Sequence, residues 1–177
     1  MTATKNHFSL FEISPGFDID LSELTKRYRD LQNAVHPDKF SNSADQEKLQ
    51  AVQRAAQVND AFSVLKSPLL RAQYLLKLNG VTAENNGTIS DPMFLMQQMD
   101  IRESLEFAAT KDDALSAVED VIDEIDAMYR ALISEIRTMF AAALPNYDEI
   151  NLKVLQLHFF NRLKNEAEVT LANIENK

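Results

Sequence analysis

A chain of 177 residues forms one ordinary domain or two small ones, and at this length it buries a hydrophobic core without a covalent or metal staple. It contains no cysteine, which excludes disulfides, cysteine-ligated zinc, a cysteine-held cluster and thiol redox chemistry on the chain itself. The net charge of -9 is unevenly spread, with ten Lys/Arg and nine Asp/Glu in residues 1–80 but eight against eighteen in residues 81–177. This asymmetry argues against nucleic acid as a partner, because phosphates need clustered Lys and Arg, and it suggests two modules with different partners. The plainer reading is that acidic helices keep the chain soluble. The first 25 residues lack a basic start followed by an apolar run. No stretch approaches the roughly 18 to 20 consecutive apolar residues of a membrane span, so the expectation is a cytoplasmic protein with no membrane partner.

Three glycines (Gly16, Gly80, Gly87) and five prolines interrupt long runs of Ala, Leu, Glu, Lys and Gln. These strong helix formers predict an all-α fold. A short apolar segment (Phe8, Leu10, Phe11, Ile13) ends near Ser14-Pro15-Gly16. A helix follows from about Asp20 to Val35, with Leu21, Leu24, Tyr28, Leu31 and Val35 on one core-facing stripe. Its other side carries Lys26, Arg27 and Arg29, and Pro37 ends it, leaving His36 at the helix exit. A second helix is predicted from about Ala44 to Leu65, with Leu49, Val52, Ala55, Val58, Phe62 and Leu65 on one face. It stops at Ser67-Pro68, where Pro68 can open a further short helix.

The Gly- and Asn-rich stretch 79–91 reads as a linker between a domain at 1–78 and another at 92–177. Beyond it, Ser90 or Asp91 caps a helix reaching about Ala109. Thr110 and Asp113 resemble a capping box opening a long helix, whose seam is Leu115, Val118, Ile122, Ile125, Tyr129, Leu132, Ile136 and Met139. That helix ends at Pro145. A last helix, about Tyr147 to Glu175, has a broad apolar face with Ile150, Val154, Leu157 and Phe160, so three helices can pack as a bundle.

The sharpest local signal is His36-Pro37-Asp38, lying between a helix with a basic outer face and a second apolar-periodic helix. With Tyr28, Leu31, HPDKF at His36–Phe40 and VNDAFSVL at Val58–Leu65, this arrangement resembles a J domain, the module by which co-chaperones act on ATPase chaperones of the heat-shock class. Pro37 fixes a tight turn, Asp38 offers a carboxylate that can pair bidentately with an arginine, and His36 places a polar ring at the negative end of the helix dipole. The alternative for His36 is a plain helix-capping histidine. For Lys26, Arg27 and Arg29 it is a solvated face; the resemblance implies that they attract an acidic chaperone surface, an attraction that salt weakens.

SPLLRAQYLLKLNG at Ser67–Gly80 and FLMQQMDIRESL at Phe94–Leu105 extend the resemblance over nearly the whole chain, to the HscB family. The resemblance implies a J domain followed by a C-terminal three-helix bundle that binds the iron-sulfur cluster scaffold protein (IscU) and delivers it to a dedicated chaperone (HscA). Any cluster would belong to that partner. Cysteine pairs that precede the J domain in eukaryotic relatives are absent, which favours a bacterial-type member without zinc.

The 94–109 helix also points to a partner by its own pattern. At 100° per residue, Ile101, Leu105 and Ala108 fall within about 40° of Phe94 and form one stripe with it, while Leu95, Met99 and Met96 fall at about 100°, 140° and 200° from Phe94. One core uses only the first face, and methionine is an adaptable residue on binding surfaces. Glu103 and Glu106 lie on the rim of the second. The alternative is that Leu95, Met96 and Met99 pack within the protein. The resemblance implies that Leu95, Met96, Met99, Asp100, Glu103 and, from the final helix, Phe159 bind the scaffold, with Phe160 as the alternative to Phe159. Met99 and Asp100 stand where familiar members carry Leu and Glu.

A J protein with a different client is a second reading, although the chain lacks the Gly/Phe-rich linker and cysteine-rich region of general J proteins. An enzyme is a third. His7, His36 and His158 are far apart in sequence, and no GxGxxG or P-loop occurs. The expectation is therefore no catalytic residue, no cofactor and no resident metal.

Overall fold

A computed structural model of the chain describes residues 6–36, 44–81 and 91–176. Over these residues the fold is all-α: α1 (His7–Leu10), α2 (Leu21–Val35), α3 (Asp45–Lys66), α4 (Pro68–Leu78), α5 (Pro92–Ala108), α6 (Ala114–Ala141) and α7 (Tyr147–Glu175). The chain divides into two units, Met1–Leu78 and Asn79–Lys177.

Side-chain caps set the starts of α2, α5, α6 and α7 by satisfying backbone N–H groups that have no partner inside the helix, whereas α3 starts after Ala44 without one. The Asp20 carboxylate accepts from Ser22 and Glu23 N–H at 2.8 and 3.1 Å. Asp91 accepts from Met93 and Phe94 N–H at 3.0 and 3.4 Å, with Pro92 at the first helical position. Asn146 serves α7 in the same way. The expected Thr110 cap is not used. Asp113 accepts from Ser116 N–H at 3.3 Å, and α6 begins at Ala114, after the Thr110 hydroxyl has instead bonded back to the Phe107 carbonyl.

In the first unit α2 and α3 form an antiparallel hairpin. Tyr28 stacks on Phe62 with ring centroids 4.0 Å apart, and its hydroxyl donates to Asn59 Oδ1 at 3.1 Å. Beneath them Phe8, Phe11, Leu24, Val58, Ala61, Leu65 and Leu76 are buried, each large side chain contributing about 1.5–3 kcal/mol. His7 stacks on Tyr74 at 4.2 Å while its backbone N–H donates to the Tyr74 hydroxyl at 3.0 Å. Burial in this position lowers the His7 pKa below 6.5, against an opposing pull from Asp60. The expected apolar stripes are partly out of phase. Leu21 lies at the helix tip, 46% exposed, and Leu49 and Val52 are 58% and 52% exposed, while Ala51, between them in the chain, is buried.

In the second unit α6 and α7 are antiparallel, held on their edges by Lys164–Asp126 at 2.7 Å and Lys153–Glu135 at 2.8 Å. α5 runs parallel to α7, since Phe94 meets Phe159 and Phe160 at 5.6 and 5.7 Å and Arg102 pairs with Glu166 one to two turns further on at 3.8 Å. The core contains Val118, Ile125, Leu132, Ile136, Ile150, Val154, Leu157 and Leu163. Leu115, expected on the α6 seam, is 40% exposed, and Ala117 and Val121 are buried nearby. Among the described residues no helix is long and apolar enough to cross a membrane, and no three His, Cys, Asp or Glu side chains are placed to hold a metal ion.

Candidate partner-binding surfaces

The first candidate surface lies on α2. His36 is exposed at the C-terminal cap of the helix, as its position before a proline requires. Pro37 and Asp38, expected to complete the motif, lie outside the described residues. The three cations on the outer side of α2 divide into two kinds. Lys26 and Arg29 are exposed. Arg27 is held inside the unit: its Nε donates to Glu23 at 2.6 Å, and one terminal nitrogen donates to the Phe11 and Glu12 carbonyls at 2.7 and 2.8 Å. Glu12 adopts a positive φ of 52°, which presents its carbonyl to that guanidinium. Arg27 therefore ties α2 to the turn after α1, a role that the expected basic face did not include.

The second surface lies on α5, which the sequence gives two apolar faces. The inner one is buried: Phe94 is 5%, Ile101 3%, Leu105 8% and Ala108 2% exposed. On the outer one Leu95, Met96 and Met99 are 44%, 63% and 63% exposed, so they do not pack within their own bundle. Asp100 and Glu103 are exposed beside them. A groove of about 520 Å³ runs along one flank, with Met93, Met96, Asp100 and Met128 among its lining residues.

Phe159 does not join this surface. It was expected on the partner side of α7, but it is 6% exposed, and Phe160 at 4% does not replace it. Both rings meet Phe94 edge to face, and the Arg102 guanidinium lies over the Phe159 ring at 5.7 Å. A side chain covered by aromatic neighbours and a salt-bridged arginine supports α5 from beneath. Two exposed apolar residues escaped the sequence reading: Met93, 76% exposed, and Phe107, 67% exposed with Lys111 Nζ 5.3 Å from its ring centroid. On the same helical wheel they fall at about 260° and 220° from Phe94, next to Met96, so angular counting alone identifies them.

Comparison with known proteins matches both units. Residues 6–74 match the DnaJ domain, and residues 90–168 match the HSCB C-terminal oligomerisation domain. The co-chaperone protein HscB homolog of Shewanella denitrificans is 43% identical over 176 residues, covering 96% of this chain and 97% of its own. The homolog of Vibrio campbellii is 40% identical over 165 residues, covering 93% and 95%. Among solved structures, chaperone HscB from Vibrio cholerae matches with a TM-score of 0.82 at 36% identity over 97% of this chain and 98% of its own. Human co-chaperone HscB matches with a TM-score of 0.84 at 28% identity, over 94% and 82%. With this identity sustained over both units and nearly the full length of its relatives, the chain belongs to the HscB co-chaperone family.

Proposed function

We propose that this chain is a co-chaperone of iron-sulfur cluster assembly that binds an IscU-type scaffold protein through its second unit and presents it to an HscA-type ATPase chaperone through its first. The observation that carries the reading is the outer face of α5. Three large apolar side chains, Leu95, Met96 and Met99, stay exposed on a helix whose opposite face already anchors the bundle. Exposed apolar clusters rimmed by charge mark protein-binding sites, and adaptable methionines suit a protein partner. Asp100 and Glu103 form that rim, while Phe159 holds α5 at the right height from below.

On the first unit, His36-Pro37-Asp38 is the element that triggers hydrolysis in the partner, and Lys26 and Arg29 steer the approach to an acidic surface. Arg27 contributes by holding α2 in place. Delivery follows from joining the two contacts in one chain, because a scaffold already bound to the second unit meets the chaperone at a raised effective concentration.

The test is the steady-state ATPase rate of a purified HscA-type chaperone with scaffold and this chain added singly and together. The expected result is modest stimulation by either and the largest rate with both. His36→Gln should abolish the contribution of this chain without altering its helicity; full stimulation by that variant would refute the role of the motif. Stimulation that is indifferent to the scaffold, together with no scaffold binding, would leave a J protein serving a different client.

A further inference from the structure

Four of the six methionines, Met93, Met96, Met99 and Met128, lie on or beside the outer face of α5. Three of them are spaced i, i+3, i+6 and are 76%, 63% and 63% exposed. Met128 is only partly exposed, and its Sδ accepts a hydrogen bond from Gln97 Nε2 at 3.4 Å. The flanking groove of about 520 Å³ reaches Met93 and Met96, so a small polar oxidant has access to their sulfurs. The bundle core beneath is built of Phe, Ile, Leu and Val and does not depend on these thioethers.

We propose that Met93, Met96 and Met99 form a reversible oxidation site that switches off docking of the scaffold, an inference that rests on the scaffold-binding reading of this face. The oxidant is a peroxide. The thioether sulfur attacks one peroxide oxygen, the O–O bond breaks as the S=O bond forms, and the departing hydroxide takes up the proton and leaves as water. Sulfur loses two electrons and the peroxide gains them. The sulfoxide is about the same length as the parent side chain but strongly polar, so pressing it against an apolar partner leaves an S=O group without a hydrogen bond. Because these side chains are solvated in the free protein, oxidation leaves the fold intact and acts on association. Sulfoxide reductases specific for the two epimers restore the thioether.

The experiment treats the whole chain with graded hydrogen peroxide and locates sulfoxides by peptide mass mapping. Affinity for the purified scaffold is then measured before treatment, after it, and after incubation with both reductases, with helicity followed throughout. Sulfoxide should accumulate at Met93, Met96 and Met99 ahead of Met128 and Met139. The Kd should rise about tenfold or more at unchanged helicity, and the reductases should restore it. A Met93/Met96/Met99→Leu variant, compared with its own untreated sample, should lose no affinity under the same treatment. An unchanged Kd with all three sites oxidised overturns the proposal, as does a loss that persists in the leucine variant or follows Met128 oxidation. Failure of the untreated protein to bind the scaffold overturns the docking reading itself and takes this inference with it.

Discussion

α2 and α5 solve opposite problems with the same geometry. Each packs one face into its own unit and turns the other outward, but α2 turns out cations and α5 turns out apolar side chains. On α2 the charged face is partly consumed by the fold, because Arg27 donates three hydrogen bonds to Glu23, Phe11 and Glu12 and leaves Lys26 and Arg29 to the solvent. On α5 the outward apolar face is not consumed at all, since aromatic contacts from Phe159 and Phe160 reach only the inner side. Long-range steering survives when one charge of a cluster is tied down; a short-range apolar contact acts only through the side chains that stand at the surface.

Replacing Leu95, Met96 and Met99 together by Ala should weaken scaffold binding by about a hundredfold or more, as truncation of three apolar anchors at an interface does. Unfolding should barely change, within about 0.5 kcal/mol per exposed site beyond helix propensity. The inner-face counterpart in the first unit, Leu24→Ala, should instead destabilise that unit by about 2–5 kcal/mol, because Leu24 is fully buried; chemical denaturation measures it.

Within α2 the cations should separate. Arg27→Ala should cost about 1–3 kcal/mol of stability, since it leaves two carbonyls and Glu23 without their donor. Lys26→Ala and Arg29→Ala should leave stability nearly unchanged but flatten the salt dependence of chaperone association. Equal effects of all three on stability would contradict the division.

The smallest expected effect is at His7. Burial lowers its pKa in the folded protein, so the unfolded chain takes up the proton first as pH falls. The His7 contribution is complete above its ordinary value of 6.5 and is lost progressively below it, until the folded protein also binds the proton. His7→Phe, which can keep the stack on Tyr74, should remove this component from the pH dependence of unfolding.

Much of this was legible in the chain. Asp20, Asp91 and Asn146 stand immediately before their helices, and capping chemistry is local. The two faces of α5 follow from 100° steps and the positions of Phe94, Ile101 and Leu105. What escaped depended on neighbours. Leu49 and Val52 look like core by their apolar spacing, but the buried face of α3 at this level runs through Ala51. Arg27 looks like Lys26 and Arg29 until the turn after α1 brings two carbonyls to it. Phe159 is placed on the partner side by the resemblance alone, whereas Phe94 and Arg102, on another helix, cover its ring.

If the scaffold docks on the outer face of α5, methionine methyl resonances should report the contact. With the methyls isotope-labelled, adding unlabelled scaffold should shift or broaden the signals of Met96 and Met99 and leave that of half-buried Met139 in place. Saturable binding with Met96 and Met99 unmoved would put the docking surface elsewhere on the second unit.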